Sequence, residues 1–306
     1  MVDLLSLQTF VRIADGGSLS AAARATGRSL PAISRSLVQL EADLGVRLLH
    51  RTTRRIHLTD AGVQYLERCR RILAEVDDAN ASVSNLDRSL AGPITLTAPI
   101  LFGQLHIAPV VTEFLGLHPE VSVSLMLSDA LSNIVEEGID LAVRIGRLQD
   151  SGLVARKLGE VRRVVCAAPA YLKRRGTPKT PKDLANHSCL QFGALSPTPY
   201  WEFHEGGKPR QVHVHGSFSS NQGAPVIEAA RGGLGIVFVL SYQVQELVAK
   251  GELRVVLQSY EAPPIPVSLI LPSGRLQPAR VRALADFFQE RIGAKNLAQL
   301  RTVKTA

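Results

Sequence analysis

Three short helical segments, each closed by glycine within the first 45 residues, leave few folds open to this chain. In LSLQTFVRIADGG, Leu7, Phe10, Val11 and Ala14 recur at steps of three and four before Gly16-Gly17, which predicts an amphipathic helix stopped by glycine. Ser18 is placed to cap LSAAARATG, whose alanines allow close backbone approach, and Gly27 closes it. Ser29 then stands as an N-cap, Pro31 falls in the first turn, and Ile33, Leu37, Leu40 and Leu44 form the apolar face up to Gly45. Helix, glycine turn, helix is the signature of a helix-turn-helix.

The outer face of the third helix supplies the first functional clue. With Ile33 and its partners inward, Pro31, Ser34, Arg35 and Val38 lie on the other side, where a solvated helix would carry mixed Lys and Glu. Small side chains allow close approach to a major groove, and Arg or Ser can reach base edges or phosphate. The charge distribution agrees. The chain carries a formal net charge of +8, and from Arg24 to Arg71 there are ten arginines against four acids, with no lysine before Lys157. Arginine's planar fork suits phosphates and the acceptor edge of guanine, so this segment predicts contact with nucleic acid.

In RLLHRTTRRIHLT, Leu48 and Leu49 precede an Arg-rich tip, and Ile56 alternates with Leu58, the pattern of a short hairpin with a basic tip, a wing. Thr59 offers an N-cap for a long helix in which Tyr65, Cys69, Ile72, Val76, Ala79, Val83 and Leu86 alternate steps of four and three. Such a seam calls for a partner: a second copy of the chain fits it, the alternative being that the helix packs on its own domain. At 1.5 Å per residue a helix over 60–90 runs roughly 45 Å.

The 306 residues, 45% hydrophobic and 20% charged, suit a globular protein of about two domains and exclude fibrous and disordered classes. No leader pattern opens MVDLLSLQTF, and no apolar run approaches the roughly 20 residues of a membrane span, so a cytoplasmic location and no membrane partner are expected. Cys69, Cys166 and Cys189 form neither a disulfide framework nor a CxxC pair and are expected to be buried hydrophobes.

From GPITLTAPI onward, strand-like runs alternate with helical ones, which implies a parallel sheet with a site at the carboxyl ends of its strands: Thr97 to Ile100, Ser128 to Asp129, and Arg144 to Arg147. RRVVCAAPAYL opens a second lobe after Val161, and IPVSLILPSG with PARVRALADFFQERI returns to the first, so the chain crosses twice between hinged lobes. Enzyme and metal readings fare worse. The glycines of RGGLGIVFV follow a helix and precede a strand, the reverse of a dinucleotide loop. His213 and His215 share a strand face without a third metal ligand at useful spacing, and His187 and Cys189 show no nucleophile elbow. No catalytic residue, metal or cofactor is assigned. The competing reading is a bilobal small-molecule-binding protein or enzyme with a basic N-terminal extension.

The segment from Leu7 to Gly62 resembles the winged helix-turn-helix of LysR-type transcriptional regulators. It shares the S-x-S-A-A second helix, P-A-I-S-R opening the third, L-E-x-x-L-G-x-x-L, and L-T-x-A-G at the start of the linker helix. Further on, DLAVRIGRLQDSGLVARKL, AAPAYL, Trp201-x-Phe, GGLGI from Gly232 and the Gly251-Glu-Leu run resemble a CrgA-like branch of that family. The resemblance implies an α/β chain in three parts: a winged helix-turn-helix over 1–59, a linker and dimerisation helix over 60–90, and a bilobal sensor like type 2 periplasmic binding proteins over 91–306. Lobe 1 would take about 91–161 and 266–294, lobe 2 about 162–265.

It also implies DNA contacts from Ser29, Leu30, Pro31, Ala32, Ser34 and Arg35, and from Arg51, Thr52, Arg54 and Arg55 of the wing. Leu30 departs from the polar residue frequent at its position. An effector would lie among Ala98, Pro99, Ile100, Phe102, Ser128, Arg144 and Gly146 of lobe 1 and Tyr200, Ser219, Asn221 and Phe238 of lobe 2. That set is mostly apolar with a few polar groups, as suits an aromatic compound or an organic acid. The implied partners are promoter DNA carrying dyad symmetry, a second copy of the chain in a homodimer or homotetramer, RNA polymerase and a small inducer, all in the cytoplasm at the nucleoid.

Overall fold

A computed structural model describes residues 2–51, 56–84, 90–130, 134, 137–146, 154–272, 277–293 and 297. The chain divides into two compact units, one built round the N-terminal head and its long helix, the other holding two lobes.

The head opens with α1 (Leu4–Gly16), α2 (Leu19–Thr26) and α3 (Leu30–Leu44). Asp3 caps α1 through Ser6 N at 2.7 Å, and Ser18 caps α2 through Ala21 N at 3.1 Å. Gly17, Gly27 and Gly45 end the three helices at φ of 63°, 65° and 68°, a backbone conformation that glycine adopts without steric cost. Ser29 holds the N-cap position of α3 but makes no side-chain cap bond, a correction to the capping expectation. Pro31 in the second helical position removes one of the two N–H groups such a cap would use.

Phe10, Ile13, Ala22, Ile33, Leu37 and Leu40 are buried together with Leu48, Leu49, Leu66 and Cys69, while Val11, Ala14 and Leu44 pack at the edge of this core. Strands β1 (Leu49–Arg51) and β2 (Ile56–Leu58) pair antiparallel with Leu49 opposite Leu58, forming the wing's stem. Thr59 Oγ1 then accepts from Gly62 N at 2.9 Å and starts α4 (Asp60–Ser84). Any side chain at Gly62 would place its Cβ 2.0 Å from the Leu48 carbonyl oxygen, so α4 can lie on the wing's base only with glycine there.

In the second unit, β3 (Gly92–Ala98) leads into a continuous helical stretch made of α5 (Ile100–Phe102), a π-helical turn (Gly103–Ile107) and α6 (Ala108–Leu117). There follow β4 (Val121–Leu127), β5 (Leu141–Ile145) and β6 (Val154–Val161). The chain then crosses to the second lobe through β7 (Arg163–Ala167), α7 (Pro169–Arg175), a 3₁₀ turn (Pro181–Asn186) and β8 (Cys189–Phe192). A hairpin of β9 (Tyr200–Glu205) and β10 (Lys208–His213) precedes β11 (Ser219–Ser220), α8 (Gly223–Arg231), β12 (Ile236–Leu240), α9 (Ser241–Ala249) and β13 (Arg254–Val256). Finally β14 (Ile265–Leu271) and α10 (Ala279–Gly293) rejoin lobe 1.

The sheets order as β4-β3-β5-β14-β6 and β11-β8-β12-β7-β13. Both are mixed, which corrects the expectation of a parallel sheet: β14 runs antiparallel to β5 and β6, and β7 to β12 and β13. Strands β14 and β7 each enter their sheet directly from a lobe crossing. Along β12 the side chains alternate between two cores, Ile236 and Phe238 on one face, Val237 and Val239 on the other. The crossings are tied together, since Arg162 Nη1 pairs with Glu261 Oε2 at 2.9 Å and Arg162 N donates to Ser241 Oγ at 3.1 Å.

The helical stretch Ile100–Leu117 spans 18 residues and is long and apolar enough to cross a membrane, which corrects the reading that no run comes close. In the fold it buries Phe102, Ile107, Val110, Val111 and Phe114 in lobe 1 and leaves Leu105 and Leu117 exposed.

Candidate nucleic-acid interface and ligand cleft

On α3 the residues that complete the head's core are used up, and what remains outward is the set that sequence periodicity singled out. Ser29, Pro31 and Arg35 are exposed, Leu30 and Val38 are 46% and 51% exposed, and Ala32 and Ser34 are half-buried. Arg35 makes no hydrogen bond or ion pair with any described residue, so its guanidinium fork keeps its donors for an outside acceptor. Two exposed aliphatic side chains beside an unengaged arginine form a helix surface that water solvates poorly and that a groove's methyl groups and acceptor edges would match.

Other arginines of the cluster have structural work. Arg28 Nη1 donates to Thr9 Oγ1 at 3.1 Å, and Arg70 pairs with Asp15. Arg51 lies in β1 opposite Ile56, and Thr52, Arg54 and Arg55 fall outside the described residues. Sequence reasoning missed Glu41, whose Oε1 accepts from both Leu48 N at 2.9 Å and Leu49 N at 3.1 Å, tying α3 to the base of the wing.

The predicted dimerisation seam on α4 needs correction at Cys69, which is fully buried in the head's own core and not free for a partner helix. Tyr65, half-buried, packs on Phe10 at 5.8 Å between ring centroids, so it is at least partly spent on the head. The core-facing stripe and the seam overlap on a helix, and the first turns of α4 spend these side chains on α1. Ile72, 42% exposed, and Val76, half-buried, lie on the seam beyond that contact. Ala79 and Val83 continue on α4, and Leu86 lies outside the described residues.

Between the lobes, helix α5 meets α9. The Phe102 ring packs edge-on against Tyr242 at 5.2 Å and lies 4.8 Å from His106, and Leu101 packs on the lobe-2 core beside Gly223. Asp129, at the carboxyl end of β4, accepts from Ile100 N through Oδ1 at 3.0 Å, which places the protein's own carboxylate at the start of the helical stretch. Burial pushes its carboxyl above the usual carboxylate range, with the Ile100 N–H bond pulling the other way. Arg144 is nine-tenths buried, its Nη1 reaching Ala130 O at 3.5 Å, and burial lowers its guanidinium from the ordinary value.

The expected effector residues do not all gather there. Ser128, whose Oγ accepts from Ala130 N at 3.2 Å, and half-buried Pro99, Ile100 and Gly146 border the lobe-1 strand ends with Arg144. Gly146 sits at φ 140°, accessible to glycine alone at low cost. Ser219 and Asn221 are exposed at the end of β8, where Gly193 N donates to Ser220 O at 2.9 Å. Ala98 and Phe102 are fully buried, so neither presents its side chain to a ligand. Phe238 stacks on Trp201 at 5.3 Å inside lobe 2, because its parity on β12 turns it toward the β9–β10 hairpin, and Tyr200 rests edge-on against His213 of that hairpin. Arg147 lies outside the described residues. Tyr242 was absent from the expected set, and Asp129 was named there only as the end of a strand, with no contact assigned to it. Their only sequence signal is position, at a helix start after a strand or at a strand's carboxyl end.

The cysteines do not offer reactive thiols. All three are free and buried, and burial pushes Cys69 up to about 11 and Cys189 up to about 12, with Cys166 raised as well.

Comparison with known proteins is consistent along the chain. The family described as "Bacterial regulatory helix-turn-helix protein, lysR family" matches residues 4–63, and "LysR substrate binding domain" matches 87–293. The chain is 34% identical to the probable HTH-type transcriptional regulator LtrA of Klebsiella pneumoniae, over 98% of each chain. It is 32% identical to the HTH-type transcriptional regulator CrgA of Neisseria meningitidis serogroup B, over 94% of this chain and 96% of that one. Among solved structures, CrgA from Neisseria meningitidis, described as a LysR-type transcriptional regulator, aligns with a TM-score of 0.62 at 31% identity, over 96% of this chain and all of that one. The full-length virulence activator AphB of Vibrio cholerae aligns at 0.61 with 26% identity, over 95% and 100%.

Proposed function

The chain belongs to the LysR family of bacterial transcriptional regulators, and on that premise we propose that it binds a dyad-symmetric promoter site as a homo-oligomer and changes that binding when a small molecule settles between its lobes. The observation that carries the reading is the outward face of α3, where exposed Leu30, Pro31, Val38 and an unengaged Arg35 stand on a helix whose inner face closes the head's core. Dyad symmetry follows from pairing. Exposed Ile72 with Val76 on α4 is one apolar surface for a second copy, and exposed Leu105, Leu117 and Met126, the last on the edge strand β4, form others. Two such surfaces on one chain support a dimer that pairs again into a tetramer. DNA as ligand sets the workplace as the cytoplasm, at the nucleoid.

For the inducer we assign the strand ends that hold Pro99, Ile100, Ser128 and Arg144 in lobe 1, facing Ser219 and Asn221 in lobe 2. An inducer can shift DNA binding only by its difference in affinity for the two lobe arrangements. No catalytic step is assigned to any of these residues.

The test is selection from a randomised duplex pool by the full chain. An inverted repeat should emerge, and Arg35→Ala should relax the preference at one position of each half-site, costing about 1–3 kcal/mol there. Recovery of the same repeat with equal stringency by the variant would remove Arg35 from the interface.

A further inference from the structure

Lobe 2 carries a concavity that the cleft does not use. A depression of about 660 Å³ is walled by the end of α7 and the 3₁₀ turn on one side and by the loop after β10 on the other, with Arg175, Asn186, His187, Ser188, His215 and Ser217 in its lining. It opens at the amino end of β8, whereas Ser219 and Asn221 of the cleft stand at the carboxyl end, roughly 10 Å away along a four-residue strand. The loop wall is held tightly, since Cys189 N donates to His215 O at 2.8 Å and any Cβ on Gly216 would fall 2.0 Å from Cys189 O.

The chemistry of the lining is one-sided. His187 is 5% exposed, and its Nδ1 lies 3.2 Å from Tyr171 Oη, which already accepts from Ser188 N at 3.0 Å. The tyrosine hydroxyl has a proton to give and a second lone pair, so it can serve Nδ1 in either tautomer; in the one where it donates to Nδ1, the imidazole proton stands on Nε2 and is offered to the depression. Burial first, and the neighbouring Arg175 charge second, lower the imidazole's pKa and so favour its neutral form. The fixed positive charge is exposed Arg175, which spends one donor on Asn186 O at 3.3 Å. Arg174 is turned elsewhere, donating to Gly233 O and lying over the Tyr171 ring. The Asp183 carboxylate, which acts on His187 in the opposite sense, accepts from Lys179 N at 2.8 Å and Thr180 N at 2.9 Å. A buried, oriented donor beside an arginine fork and an exposed histidine asks for a ligand rich in acceptors and carrying negative charge.

The geometry points to a second small-molecule site on lobe 2, separate from the interlobe cleft, that takes a compact oxyanion on Arg175, His187 and His215. Carboxylate and phosphate share this chemistry. The full chain is titrated calorimetrically with citrate and, separately, with inorganic phosphate at constant ionic strength, while the imidazole signals are followed by NMR. One-site saturation with a Kd below roughly 1 mM is expected, with the tighter anion identifying the group bound. Arg175→Gln with His215→Gln, two surface changes, should weaken binding at least tenfold. His187→Asn, which keeps a group for the Tyr171 hydroxyl but loses the Nε2 donor, should weaken it too without lowering the anion-free Tm; if it misfolds, the surface pair decides. Failure of both anions to saturate, or equal affinity in the surface pair, an adventitious ion only, overturns the assignment.

Discussion

Glu41 offers the most direct test of how the head is built. One of its carboxylate oxygens accepts two backbone N–H bonds, from Leu48 at 2.9 Å and Leu49 at 3.1 Å, and so fixes the angle between α3 and the wing. Hydrogen bonds to a charged acceptor contribute about 1.5–3 kcal/mol each, and because these two share one oxygen they do not add in full. Glu41→Ala should cost about 2–4 kcal/mol in local opening, a large part of the 5–15 kcal/mol typical of a domain. Glu41→Gln keeps an acceptor without charge and should cost about 1 kcal/mol. The assay is amide hydrogen exchange in the full chain. Leu48 and Leu49 amides should exchange roughly 30- to 700-fold faster in the alanine variant and about fivefold faster in the glutamine variant, while the amides of α1 change little. Operator binding should weaken in the same order. If both amides exchange at the parental rate in Glu41→Ala, the carboxylate does not hold the wing and the reasoning fails.

Ile72→Asp places a charge on the α4 seam outside the head's core, so it should cut self-association by several kcal/mol while the head stays folded; an unchanged molar mass at micromolar concentration in solution would count against the seam. With Cys69 and Cys189 pushed up to about 11 and 12 by burial, a thiol reagent at pH 7.5 should label the native chain far more slowly than the unfolded chain, and rapid native labelling would contradict that packing. Asp129 bears a carboxyl raised by burial, so its protonated form is favoured by folding; that contribution is present below the ordinary value of 3.8 and is lost as pH rises through the folded value. Asp129→Asn can still accept from Ile100 N without the charge, so its Tm relative to the parent should improve between pH 4 and pH 7, and a relative loss over that range would refute the assignment.

What the sequence made legible is what local physics decides. The glycine stops, the Ser18 and Thr59 caps and the wing's stem each depend on residues within a few positions, and the structure places them where those residues call for them. Two family motifs acquire a physical cause. In L-E-x-x-L-G-x-x-L the glutamate holds the amide of the last leucine and the next, and in L-T-x-A-G the glycine lets α4 lie on the Leu48 carbonyl. Non-local choices were not legible. Tyr65 and Cys69 fit a heptad seam and a head core equally well, and only the position of Phe10 in space assigns them to the core. Phe238 follows the same rule at the scale of a strand. Period-two alternation permits it to face either side of β12, and Trp201, 37 positions earlier, decides which. Asp129 is the sharper case, since nothing near it in sequence announces that it will meet Ile100 N. Yet that single bond places a carboxylate at the helix start that an anionic inducer would otherwise seek. On the proposed assignment of the inducer site, an organic acid entering there would have to displace Asp129 or leave that amide to it, so the expected inducer is one that donates hydrogen bonds to this carboxyl group rather than one that competes with it for the Ile100 N–H.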